Sequence, residues 1–465
     1  MGCVTRIVII GGGPGGYEAA LVAAQLGADV TIVERDGLGG ACVLTDCVPS
    51  KTLIATSTRM AVMNESASLG LKFDGGPDGI VGGLQVDLGL VNKRVKELAR
   101  AQSFDVAERL AYEDVRIVRG EGRLTDPHTV TVDGTTDLPA DVVLIATGAT
   151  PRVLPGSEPD GERILSWRHL YDLPELPEEL IVVGSGVTGA ELAGAYTSLG
   201  SKVTLVSSRD RILPTEDADA ASVLQEVFLR RGMRVLPRSR AAAVQRHGDS
   251  VVVTLEDGRK IEGSHCLLTV GMEPNTRGIG LEKAGVKLNR RGFVEVDKVS
   301  RTSVGHIYAA GDCTGVMMLA SVAAMQGRIA MWHALGEAVQ PLKLGWVAAN
   351  IFTDPEVATV GVTQKMIDSG EVNARSVMLP LFSNPRAKMQ GFEDGFVKLF
   401  CRPSTGIVLG GVIVAPRASE LILALSVAVQ QHLTVDQVAH TFAVYPSLSG
   451  SITEAARRLM HDSAY

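Results

Sequence analysis

The sequence predicts an α/β chain: two copies of a strand, glycine turn, helix, strand unit, followed by a C-terminal α+β domain. Three observations carry this. A Gly-x-Gly-x-x-Gly turn occurs twice, at Gly11, Gly13 and Gly16 and again at Gly184, Gly186 and Gly189. Each turn follows an apolar strand, residues 6–10 or 180–183, and leads into an Ala/Leu-rich helix and a second strand. The copies align without a gap: Glu34 and Ser207 follow their first glycines at the same spacing, and Glu18 and Glu191 each come just after the third. Duplication of a Rossmann-like nucleotide-binding unit is the simplest account.

Size and composition agree with this reading. At 465 residues the chain is too long for one core and suits about two to four domains. Apolar residues make up 45% and aromatics 4%, and the 51 glycines exceed the usual share of roughly 7%. Aliphatic layers joined by tight turns follow. A net charge of −7 without a long Lys/Arg run argues against nucleic acid or an anionic membrane as the main partner. No apolar stretch approaches the roughly 20 residues of a membrane span, and the start, Met1 to Arg6, has no signal-peptide core. A cytoplasmic protein is expected. Six cysteines do not make a disulfide scaffold, so a pair that matters is expected to do redox or metal chemistry.

The elements fall in order. Late strands of the two units end at Gly148 and Gly271. Residues 301–315 bring a further strand to Gly311-Asp312, and a helix follows near 319–335, as if the first domain were completed after the second is inserted. The expected boundaries are 1–150 and 275–344 for the first domain, 151–274 for the second and 345–465 for the third. That last segment has short β-rich runs such as 395–401 and helices near 419–430 and 435–441.

Glycines at a strand-to-helix turn let the backbone approach a pyrophosphate, whose charge the helix N-terminus stabilises. Glu34 ends the second strand of the first unit, where a carboxylate accepts hydrogen bonds from an adenosine ribose. Ser207 stands at the aligned position of the second unit, with Arg209 and Arg211 following. No carboxylate there repels a 2′-phosphate and either arginine can pair with one, so NADPH is accepted beside NADH.

Cys42 and Cys47 sit in Gly39-Gly40-Ala41-Cys42-Val43-Leu44-Thr45-Asp46-Cys47-Val48-Pro49-Ser50-Lys51. They are close enough on a helical turn or its lead-in to bridge, and a helix N-terminus together with Lys51 lowers a thiol pKa. Cys3, Cys266 and Cys313 are scattered without metal-ligand spacing, so no metal site is expected and structural thiols are the default.

The Cys42–Lys51 run, both glycine turns, Ala146-Thr147-Gly148, Pro274-Asn275-Thr276, Ala310-Gly311-Asp312 and Thr353-Asp354-Pro355-Glu356, in their order along the chain, resemble the flavoprotein disulfide reductases, the family of glutathione reductase and lipoamide dehydrogenase. The resemblance implies FAD on the first unit, a nicotinamide cofactor on the second, and a C-terminal dimerisation domain that forms a homodimer. Carried over by position, Gly11, Gly13, Pro14, Gly15, Gly16, Glu34, Arg35, Thr147, Gly148, Gly311 and Asp312 hold FAD. Gly184, Gly186, Gly189, Ser207, Arg209 and Gly271 hold the nicotinamide cofactor. Lys51 lies by the flavin, paired with Glu191; Cys47 faces the flavin, and Cys42 meets an incoming disulfide.

The resemblance breaks near the C-terminus. Where the family has His-Pro-Thr-x-x-Glu for proton transfer, this chain reads Tyr445-Pro446-Ser447-Leu448-Ser449-Gly450. An imidazole of pKa ~6.5 moves protons both ways, whereas a phenol of pKa ~10 is a poor base at neutral pH. Losing a positioned acid-base group costs about 10²–10⁴-fold in rate; no nearby histidine obviously substitutes, the nearest being His440, five residues upstream. Thiol–disulfide turnover suffers, while flavin reduction needs none of this machinery. With that ending, the motif set is similar to actinobacterial NAD(P)H-quinone reductases related to lipoamide dehydrogenase. Some of these lack one active-site cysteine, whereas this chain keeps both. The expected acceptor is a quinone or another small redox molecule. A disulfide reductase and a flavin-bound redox sensor without turnover are the alternatives. Mercuric reductase needs a C-terminal cysteine pair, and no cysteine follows Cys401.

Overall fold

The computed structural model describes residues 4–71 and 85–461, so Cys3 lies outside the described residues. The chain forms two compact units. One is drawn from Met1–Thr52, Asn92–Arg152 and Gly271–Lys343, the other from Leu53–Val91, Val153–Val270 and Leu344–Tyr465.

In the first unit five parallel strands run in the order Ile307–Ala309, Val142–Ile145, Arg6–Ile10, Asp29–Glu34, Arg116–Arg119. Alternation along the central strand divides its side chains between two faces. Ile7 and Ile9 pack with Ala19, Ala23 and Leu110, and Val8 and Ile10 pack with Val130, Leu138 and Leu281. A parallel strand covered on both faces must be continuously apolar, which is why every residue after Arg6 in that strand is buried. The Pro14–Gln25 helix crosses the Ala320–Ala334 helix closely enough that a Cβ on Gly327 would sit 2.1 Å from the Gly15 carbonyl oxygen. Glycine there is a packing requirement.

The second unit repeats the sheet with strands Arg234–Leu236, Lys202–Val206, Glu179–Val183, His265–Leu268 and Ile164–Leu165, again all parallel. Its edge strand comes from upstream of the glycine turn, whereas the matching strand of the first unit, Ile307–Ala309, comes from far downstream. The same unit carries an antiparallel sheet in the order Ala348–Ile351, Glu356–Gly361, Val408–Ala415, Phe396–Cys401, Arg375–Pro380. The Ala418–Gln430 helix covers it, its Ile422, Leu425 and Ala428 sharing a core with Val360, Leu399 and Ile413.

Several elements go beyond the sequence reading. The Gly450–His461 helix buries Ile452, Ala455, Ala456 and Leu459, a helical spacing. The 25-residue Leu88–Tyr112 helix and the antiparallel strands Gly122–Asp126, Thr129–Val132 and Thr136–Pro139 are the others.

Candidate functional site

The first glycine turn separates residues the fold needs from a residue that leaves room. Gly11 has φ +104° and a Cβ on it would lie 2.3 Å from the Ala146 carbonyl oxygen; on Gly16 it would lie 1.9 Å from that of Gly11. Neither position admits a side chain. Gly13, the N-cap of the Pro14–Gln25 helix, has nothing within 4 Å of such a Cβ. Pro14 opens that helix where its missing N–H costs nothing, and Gly15 packs toward Ala310. The result is an open cradle at a helix N-terminus, the shape and polarity a pyrophosphate fits.

Glu34 is oriented by backbone donors: Gly12 N–H at 2.6 Å to one oxygen, Asp36 N–H at 2.7 Å and Gly37 N–H at 3.1 Å to the other. A carboxylate has about four lone-pair sites, so capacity remains for a ribose hydroxyl. Arg35 points away into an exposed pair with Asp36, whose hydrogen bond and charge raise the guanidinium pKa. Thr147 and Asn275 cross-link by Thr147 Oγ1 to Asn275 O, 2.7 Å, and Asn275 Nδ2 to Thr147 O, 2.9 Å, and Gly148 beside them leaves open space.

Gly311 N–H donates to Gln326 Oε1 at 2.9 Å, and the Asp312–Thr314 turn follows. Gln326 is buried and serves that turn; no motif announces it, because the contact joins a loop to a helix. Burial, reinforced by the charge of Asp46, pushes the Asp312 carboxyl up to about 6.

The cysteines belong to the same unit. Gly39 N–H donates to Gly12 O at 2.8 Å, which seats the Gly40–Leu44 helix directly on the glycine turn. Cys42 lies in that helix and Cys47 opens the next, Cys47–Glu65. Both are free and half-buried. Hydrogen bonding between the two thiols holds Cys42 below the usual thiol range and, with burial and the Cys42 charge, holds Cys47 far above it. Lys51, one helical turn beyond Cys47, pulls both thiols down through its charge. Sequence spacing therefore finds two thiols that titrate together, one on each of two successive helices.

The second turn is a geometric copy. A Cβ on Gly184 would lie 2.3 Å from the Thr269 carbonyl oxygen and one on Gly189 would lie 1.9 Å from that of Gly184, whereas Gly186 is open. Ser207 differs from the expectation of a nucleotide contact. It is fully buried, accepts hydrogen bonds from Ser185 Oγ at 2.7 Å and from Arg209 N–H at 3.1 Å, and donates toward the Arg209 and Arg211 carbonyls. Its hydroxyl shapes the loop that presents Arg209, which is exposed. Glu191 is buried and accepts Phe352 N–H at 2.8 Å. Gly271 has φ +106° and its carbonyl accepts Arg152 N–H at 2.9 Å.

Tyr445 is 82% exposed, in a loop with Phe442 and Val444 also at the surface. Gly450 begins a helix, and its N–H donates to Ser447 Oγ at 3.1 Å. His440, the histidine nearest Tyr445 in sequence, closes the Val435–Ala439 helix, with Nδ1 2.8 Å from Asp436 O.

Residues 5–327 match the family model described as pyridine nucleotide-disulphide oxidoreductase, and residues 347–456 match its dimerisation domain. The chain belongs to the pyridine nucleotide-disulphide oxidoreductases. An NAD(P)H dehydrogenase (quinone) of Mycobacterium tuberculosis is 57% identical to this oxidoreductase over 473 residues, covering 99% of this chain and 95% of the relative. A dihydrolipoyl dehydrogenase of Geobacillus stearothermophilus is 34% identical, covering 97% and 95%. A crystal structure of LpdA from Mycobacterium tuberculosis superposes with a TM-score of 0.93 at 56% identity, over 98% of this chain and 100% of that one. The flavoprotein disulfide reductase RclA of Escherichia coli shares the fold, with a TM-score of 0.86 at 24% identity over 97% and 99%. As in its family, FAD and NADPH or NADH are the oxidoreductase's cofactors. No helix among the described residues is long and apolar enough to cross a membrane.

Proposed function

We propose that this oxidoreductase passes electrons from NADPH or NADH through FAD to a quinone or similar small acceptor. The observation that carries the reading is Tyr445 with Gly450, a phenol and a bare backbone where the family pattern has an imidazole and a carboxylate, beside an intact nucleotide cradle. The name of the 57%-identical relative supports it. FAD, when bound, accepts a hydride and returns its electrons to an acceptor. Overall, NAD(P)H, a proton and a quinone become NAD(P)⁺ and a quinol.

The chain's own residues supply positioning. Gly11, Gly13, Pro14, Gly15 and Gly16 would receive the FAD pyrophosphate, Glu34 the adenosine ribose and Asp312 the ribityl chain, with Arg35, Thr147, Gly148 and Gly311 around them. Gly184, Gly186, Gly189 and Gly271 would receive the nicotinamide dinucleotide, with Ser207 holding the loop and Arg209 facing a 2′-phosphate. Lys51 contributes positive charge, and Glu191 fixes local backbone through Phe352. Residues 1–150 with 275–344 act as the FAD domain, 151–274 as the pyridine-nucleotide domain and 345–465 as the dimerisation domain of a homodimer. Pyridine nucleotides are intracellular reductants, which puts the reaction in the cytoplasm.

The two free cysteines Cys42 and Cys47, on adjoining helices seated on the first glycine turn, favour a second reading, a disulfide reductase. Steady-state NADPH oxidation against a panel of quinones and disulfides separates the two. The quinone reading expects quinone turnover in the parent, and a gain of about 10²-fold or more in disulfide turnover when Tyr445→His and Gly450→Glu are combined. Fast reduction of one disulfide by the parent, with no quinone turnover, would sink it.

A further inference from the structure

Asp46 stands between the two cysteines and is held from both sides. Its N–H donates to Ala41 O at 2.8 Å, within the turn that carries Cys42, and its carbonyl accepts Ser50 N–H at 2.7 Å, within the helix that Cys47 opens. The start of a helix favours a thiolate because unpaired N–H groups converge there. A carboxylate on the residue just before the first helical position places a negative charge at that same end, where an N-cap side chain belongs. A second anion on the neighbouring sulfur is then repelled.

We propose that the Asp46 carboxylate is an electrostatic brake on the reduced Cys42–Cys47 pair, disfavouring the thiolate and so slowing thiol–disulfide exchange. Other ionisable groups act on the pair. Lys51 opposes the brake at both cysteines. Asp312 adds to the brake at Cys42. Tyr17, on the Pro14–Gln25 helix, feels the charge of Cys42, with Glu18, Arg109 and Arg328 around it. The inference stands whichever acceptor takes the electrons, since it concerns the protonation of the sulfurs alone.

The test is the pH profile of Cys42 alkylation by iodoacetamide in dithiothreitol-reduced, FAD-loaded enzyme, read by peptide mass spectrometry. Asp46→Asn and Asp46→Ser keep a capping side chain without charge, and Asp46→Glu keeps the charge. Both neutral variants are expected to lower the midpoint by about one pH unit and to speed alkylation near pH 7 by about tenfold, while Asp46→Glu stays within a third of that shift. Neutral variants with the parental midpoint overturn the proposal, as does a Glu variant that shifts as far as Asn. A variant that sheds FAD is compared with flavin-free parent under the same criteria.

Discussion

Lys398 Nζ lies 2.8 Å from Asp217 Oδ2 and 2.5 Å from Asp219 Oδ2, with only 4% of the Lys398 side chain and 3% of the Asp217 side chain exposed. The lysine stands on the Phe396–Cys401 strand, and Asp217 caps the Ala218–Arg230 helix by accepting from Asp219 and Ala220 N–H. One carboxylate thus ends a loop, starts a helix and neutralises a buried ammonium. Lys398→Met leaves Asp217 without its counterion and is expected to cost about 3–5 kcal/mol in urea unfolding. Adding Asp217→Asn keeps the cap and removes the orphaned charge, so most of the loss should return. A single variant as stable as the parent contradicts this account.

Glycines within one turn should fail differently. Gly16→Ala puts a Cβ 1.9 Å from the Gly11 carbonyl oxygen, whereas Gly13→Ala meets nothing within 4 Å. The first variant should lose folded yield; the second should fold, with FAD affinity reduced by tenfold or more. Gly189→Ala and Gly186→Ala should repeat the contrast for NADPH binding. Circular dichroism and cofactor titration read the two outcomes separately.

Anaerobic titration with NADPH reports on the sulfurs. With Cys42 and Cys47 both present on successive helices of one unit, the enzyme is expected to take up four electrons, and Cys42→Ser only two. Parent enzyme that stops at two electrons would show that the pair does not turn over.

Asp312 gives a pH prediction with a definite sign. Its folded carboxyl, pushed up to about 6 from 3.8, binds a proton more tightly than the unfolded chain does. The corresponding stability is present in full below about pH 4 and is lost as pH rises through about 6, to a limit of about 3 kcal/mol. Asp312→Asn should therefore stabilise the flavin-free protein at pH 7, and the advantage should fade toward pH 4. Equal stability increments at both pH values would count against the raised carboxyl.

Much of the glycine cradle and its neighbouring carboxylate is legible because it is local. Gly11, Gly13, Gly16 and Glu34 lie within one strand–turn–helix–strand unit, where backbone sterics dictate glycine and a strand end dictates the acid. The role of Ser207 is not legible in this way. Its alignment with Glu34 predicts a nucleotide contact, but its hydroxyl is consumed by Ser185 and the loop backbone. Gln326 and the Lys398–Asp217 pair escape the sequence for a related reason: each joins segments whose separation along the chain leaves no periodic trace.

By itself the sequence determined the duplicated nucleotide units, the cysteine pair and the loss of the imidazole and carboxylate, because each is a matter of residue type at fixed local spacing. Tertiary structure decided which glycines are needed for packing and which leave space, where the edge strand of each sheet comes from, and that Asp312, far along the chain, adds its charge near Cys42. Those depend on distances between atoms remote in the chain, and a linear order does not contain them.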